Sequence, residues 1–114
     1  MSVYRGYQYQ DAGSLVVTKD GAVLSPAPSQ KLFNHSPDGF QWGYGGSGPA
    51  QLALALLLDA TGDAELSVRL HQDFKWNFVA GWGEKWVITT EQIKFWVAQK
   101  ESLKKEGEND NTVL

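Results

Sequence analysis

The sequence predicts an α+β protein: a small antiparallel sheet, made of N-terminal hairpin strands plus one late strand, packed on a buried central helix and two further helices. Three observations predict it. The first 24 residues hold strand-like runs, two of which flank an Asp20-Gly21 turn dipeptide, the pattern of a hairpin. Leu52 to Leu58 is apolar on every side, as only a helix covered all round can be. A glycine-rich run, Gly43-Tyr44-Gly45-Gly46-Ser47-Gly48, leads straight into that helix.

Taken in order, Val3–Tyr9 reads as a tyrosine-rich strand, and Leu15–Lys19 with Ala22–Leu24 flank the turn dipeptide. Ser25-Pro26-Ala27-Pro28-Ser29 is expected to break regular structure, because each proline removes a ladder donor and fixes φ. Lys31-Leu32-Phe33 reads as a short strand. Ser36-Pro37-Asp38-Gly39 suits a type I turn that returns the chain into Phe40-Gln41-Trp42, a possible strand. Helix one is placed with Gly48 as N-cap and Pro49 at the first helical position, running to about Ala60.

After a break at Thr61-Gly62-Asp63, a second helix is expected from about Ala64 to Ala80, closed by Gly81. On its wheel Leu66, Leu70, Phe74, Phe78 and Val79 form one apolar arc, with Arg69, Gln72, Asp73 and Asn77 opposite. His71 and Lys75 fall inside or at the edge of the apolar arc, one turn apart. Trp82 to Lys85 reads as a loop and Trp86-Val87-Ile88 as a strand. Thr89 or Thr90 caps a last helix through about Lys100, with Thr89 and Gln92 at capping-box spacing. Residues 1–100 therefore read as one domain, and 101–114 as a polar tail without stable order.

Composition narrows the function. A chain of 114 residues can bury a normal core. It has no cysteine, so disulfides, thiolate metal sites and a cysteine nucleophile are excluded. No segment is apolar enough to span a membrane or to act as a leader, and a cytoplasmic location is expected. The net charge of −3 and pI near 5.2 weigh against a duplex nucleic-acid partner. Five tryptophans and four tyrosines are many for this size, which points to core, to subunit contacts in a homo-oligomer, and to a few rings free to stack on a planar ligand.

The glycine run matches G-x-G-x-x-G literally, but a dinucleotide fold needs a second parallel strand ending in an acid, and Asp63 and Glu65 fall in helical sequence. It also lacks the Lys-Ser/Thr ending of a P-loop. What remains is general: backbone amides at Gly45, Gly46, Ser47 and Gly48, at the positive end of a helix, facing an anion. The competing reading is a glycine turn needed for close packing. Lys75 and Arg5 would add charge, Asn34, His35 and Ser36 directional hydrogen bonds, His71 a further polar contact, and Trp42 or Tyr44 a stacking face.

Lys75 could instead pair with Asp38 or Asp11. No H-E-x-x-H, H-x-H or carboxylate cluster supports a metal, and no cofactor is implied. A recognition helix with only Arg69 and Lys75 as bases argues against a DNA-reading helix-turn-helix.

The runs from Asn34-His35-Ser36-Pro37 through Gly39-Phe40, Trp42-Gly43-Tyr44-Gly45-Gly46-Ser47-Gly48-Pro49-Ala50-Gln51-Leu52-Ala53-Leu54-Ala55, and Gln72-Asp73-Phe74-Lys75-Trp76, resemble a domain-of-unknown-function family of small bacterial, plasmid-borne and phage-borne proteins. The resemblance spans Tyr4 to about Trp96 and implies no activity. Its setting on mobile elements implies anti-defence: non-catalytic capture of a phosphate-bearing, nucleotide-like molecule used by host immunity. Two alternatives stand beside it. One is a small hydrolase or phosphodiesterase with His35 or His71 as general base, the other an interaction module that blocks a host protein.

Overall fold

A computed structural model describes residues 1–9 and 14–113. Four strands, β1 (Val3–Tyr9), β2 (Ser14–Lys19), β3 (Ala22–Val23) and β4 (Lys85–Thr89), form one antiparallel sheet in the order β3-β2-β1-β4. Four helices, α1 (Ala27–Leu32), α2 (Ser47–Thr61), α3 (Ala64–Asn77) and α4 (Thr90–Val113), complete an α+β architecture. None of them is long and apolar enough to cross a membrane.

The expected hairpin forms because Asp20 and Gly21 both take positive φ, +51° and +86°, the pair that a right-twisted two-residue turn requires. Asp20 also ties down the start of β1: its Oδ1 accepts from Val3 N–H at 2.8 Å and its own N–H donates to the Val3 carbonyl at 2.9 Å. Tyr4, fully buried, reaches from β1 to the end of α2, where its hydroxyl donates to Asp59 Oδ2 at 2.6 Å and Lys19 pairs with the same oxygen at 2.8 Å. Burial, and then the adjacent Asp59, hold that phenol protonated.

Helix α2 is the centre of the core, buried on every side from Gly48 to Leu57. It ends at Gly62, whose left-handed φ of +67° lets its N–H close on the Leu58 carbonyl. Asp63 then caps α3 by accepting from Leu66 N–H. At α4 the capping box is reciprocal: Thr89 N–H donates to Gln92 Oε1 and Gln92 N–H to Thr89 Oγ1.

Several elements differ from expectation. Pro26 and Pro28 open a helix rather than break one, since Pro28 lies in the first turn of α1, where no N–H is needed, and Lys31-Leu32 are helical, not a strand. Phe40-Gln41-Trp42 makes no ladder; Gly43 N–H instead bonds the Val79 carbonyl and Trp42 Nε1 the Gly83 carbonyl. Helix α2 begins at Ser47 with Gly46 as N-cap, not at Gly48. Helix α3 stops at Asn77, and a short 3-10 turn over Val79–Gly81 turns the Val79 carbonyl toward Gly43. Helix α4 continues past Lys100 to Val113.

Three tryptophans lock the loops onto the sheet. Trp82 and Trp86 stack at 4.1 Å, and Trp42 meets Trp86 edge-on at 5.6 Å. Trp86 lies directly over Gly6, where an added Cβ would stand 2.0 Å from the indole nitrogen. Gly6→Ala is therefore expected to displace that ring and destabilise the fold by about 2 kcal/mol. Urea unfolding monitored by tryptophan emission checks it; an unchanged midpoint would contradict the packing.

Candidate functional site

The site is assembled by a buried amide. Gln51, on the first turns of α2, is inaccessible to solvent and uses its side chain four times. Its Oε1 accepts from the backbone N–H of His35 at 2.7 Å and of Ser36 at 3.0 Å; its Nε2 donates to Ser29 Oγ at 3.0 Å and to the Phe33 carbonyl at 3.1 Å. These bonds replace the missing strand ladder and fix the segment after α1 against α2. His35 is thereby held over α3.

On α3, His71 and Lys75 are buried one turn apart, 5% and 6% exposed. His35 Nε2 lies 2.9 Å from His71 Nε2, and His71 Nδ1 lies 2.6 Å from the Val68 carbonyl. Gln72 Nε2 approaches His71 Nε2 at 3.4 Å, and the Phe33 ring stacks on His35 at 4.3 Å. The Lys75 ammonium donates to the Gly45 carbonyl at 3.1 Å and sits 4.5 Å from the centre of the Trp76 ring. It has no carboxylate partner among the described residues. Asp38 does not pair with it, and Asp11 lies outside the described residues.

Burial first, then the neighbouring His71 and Lys75, hold the His35 imidazole below its ordinary value of 6.5. An imidazole lowered on folding binds fewer protons in the native than in the unfolded state. Its contribution to stability is thus complete above 6.5 and is lost as pH falls from there toward the lowered native value.

The glycine run contributes through both packing and polarity. An added Cβ at Gly45 would strike the Trp76 ring at 2.1 Å, one at Gly46 the Tyr44 ring at 2.4 Å, and one at Gly48 the Gln41 side chain at 2.6 Å. Close packing therefore requires these glycines. No side chain caps α2, and the N–H groups of Gly45, Gly46, Ser47 and Gly48 have no acceptor among the described residues. Beside them Tyr44 and Trp76 are largely exposed, the Tyr44 hydroxyl donating to Gln41 Oε1.

The structure thus brings His35, His71, Lys75, Gly45 and Tyr44 onto one face, with Gly46, Ser47 and Gly48 following. Trp42 does not join them: it is only 8% exposed, in the tryptophan cluster, and offers no stacking face. Arg5 is exposed on the sheet face opposite the buried Tyr4 and Gly6, away from the helices, so it brings no charge to α3. Asn34 is exposed with no side-chain bond among the described residues, and Ser36 acts through its backbone: its N–H meets Gln51 and its carbonyl accepts from Gln30. Sequence reasoning missed Gln51, Phe33, Gln72 and Trp76 as site residues. The Lys75-Trp76 adjacency was the available signal for the last. No group of three or more His, Asp or Glu side chains able to hold a metal occurs among the described residues.

These features define a small α+β protein with a cationic, aromatic-edged face built on one loop and one helix. The chain belongs to DUF6166, a family of unknown function, whose profile matches residues 4–99. No curated protein and no solved structure matches it.

Gln51→Leu removes all four bonds, leaving the Ser36 amide without a partner and the His35 amide with only its 3.2 Å bond to the Phe33 carbonyl, so a loss of about 3 kcal/mol is expected. Hydrogen exchange should locate the new mobility at residues 33–36. The His35 linkage predicts that wild-type stability falls on acidification below 6.5 more than that of His35→Gln. Parallel pH series of urea midpoints test this.

Proposed function

We propose that this protein binds, without turning over, a phosphate-bearing, nucleotide-like small molecule on the face formed by the glycine loop and α3. One observation carries the reading: Lys75, a residue only 6% exposed, has a carbonyl, a ring face and the His35 imidazole near its ammonium but no carboxylate partner among the described residues. Burying a charge in that way costs stability, and an anionic ligand offsets the cost. The α2 amides would share the negative charge. Tyr44 and Trp76 supply the exposed rings on which a base can stack, the role that Trp42 cannot take.

Capture is favoured over hydrolysis by the state of the histidines. Their Nε2 atoms face each other, and His71 Nδ1 is tied to Val68, so neither ring presents the nucleophile–base–orienter chain of a hydrolase. Sequestration of an immune nucleotide by a mobile-element protein is the biological setting we attach to this reading, on the strength of the family resemblance.

Thermal-shift titration with inorganic phosphate and with mono- and dinucleotides tests the proposal. A ligand at about 100 times its Kd should add about 2.7 kcal/mol to stability, seen as a rise of several degrees in Tm. Lys75→Met should abolish that rise while leaving the free protein as stable as the wild type or up to about 1 kcal/mol more so, because an uncompensated charge is replaced by an apolar side chain of similar volume. Intact ligand recovered after heating marks capture; accumulated product marks turnover. A destabilised Lys75→Met protein that still binds would refute the assignment.

A further inference from the structure

We propose, resting on the anion site above, that the His35–His71 pair accepts a single proton when ligand binds, at His35 Nδ1, and that the site therefore selects dianions such as a terminal phosphate over monoanions. The hydrogen-bond pattern fixes where protons can be. The Val68 carbonyl can only accept, so His71 Nδ1 carries a hydrogen. A neutral His71 then presents a bare Nε2, and His35 Nε2, 2.9 Å away, must be the donor to it. The Gln72 amide nitrogen, aimed at the same His71 atom from 3.4 Å, agrees with that assignment.

In this arrangement His71 cannot take a second proton without placing two N–H groups head to head. His35 Nδ1 is the one ring nitrogen of the pair with no partner among the described residues, and a proton added there leaves the other contacts in place. The pair thus carries at most one positive charge. With Lys75 the site can present two charges and no more.

The groups facing His35 all disfavour that proton while the site is empty of anion. From α3 comes Lys75, whose charge acts to keep it neutral, together with the neutral His71 and the uncharged Gln72. From α2 comes the uncharged Gln51, and beside α1 the apolar Phe33 ring. No carboxylate reaches His35, His71 or Lys75 in an ion pair among the described residues. A bound dianion reverses the sign of the local potential, and by linkage whatever draws the proton in is itself bound more tightly as protons become available.

Calorimetric titration of the whole chain with sodium sulfate, repeated near pH 6.5 in buffers of different ionisation heat, counts the protons. Sulfate is the probe because it stays a dianion through this range. The expected result is uptake of about 0.5 to 1 proton per sulfate, affinity that weakens up to about tenfold per pH unit on raising the pH, and nitrate binding with little uptake. His35→Gln should bind sulfate more weakly near pH 6.5, with the uptake and the pH dependence lost. Sulfate binding by the wild type with no uptake, uptake exceeding one proton, or uptake that persists in His35→Gln overturns the single-proton pair while leaving the anion site standing. No sulfate or phosphate binding at all removes the anion site and this inference with it.

Discussion

The side-chain amide of Gln51 is the constraint on which the rest of the site depends. Segment 33–46 joins α1 to α2 without forming a strand, so its backbone groups cannot be satisfied by a ladder. One buried amide satisfies three of them and a serine hydroxyl besides. A side chain with two acceptor positions and two donor hydrogens is what this task needs, and glutamine has the reach to perform it from inside a helix. A glutamate would lose the two bonds to the Phe33 carbonyl and Ser29, and a leucine would lose all four. Because α2 is itself immobilised by core contacts on every side, the position of His35 inherits the rigidity of the core.

The same economy of parts lets the packing of the glycine run coexist with the anion recognition we propose for it. Trp76, Tyr44 and Gln41 occupy the volume where side chains of Gly45, Gly46 and Gly48 would be. That closeness lets Lys75 extend under Trp76 to the Gly45 carbonyl, and it holds the aromatic rings at the rim instead of in the core. Packing and anion recognition are therefore not rival explanations of this loop. The rings that make the glycines necessary also border the charge.

Much of the fold was legible because it is locally determined. Asp20-Gly21, Gly62-Asp63 and Thr89 with Gln92 each act within a few residues, and each occurs as expected. The inward placement of His71 and Lys75 followed from helical periodicity alone. What was illegible depends on distance. The two prolines read as breakers because their helix-opening role shows only when Pro28 is seen in the first turn. Trp42, expected to offer a stacking face, is covered while Trp76 is exposed, since what covers Trp42 is Trp86, over Gly6, far away in sequence. The contact of His35 with His71 depends on Gln51, an unremarkable polar residue in an apolar helix. Its oddity there was the signal.

The strand order carries a consequence for how the chain reaches this state during synthesis. β1, synthesised long before β4, is interior to the sheet and pairs on one side with β2 but on the other with β4, and Ser2 and Thr90 exchange two further hydrogen bonds across the same closure. The nascent hairpin must therefore wait, one edge unpaired, until β4 has been translated. The β1–β4 pairing, more than 70 residues apart in sequence, is the long-range closure of the sheet, the kind of contact that slows folding.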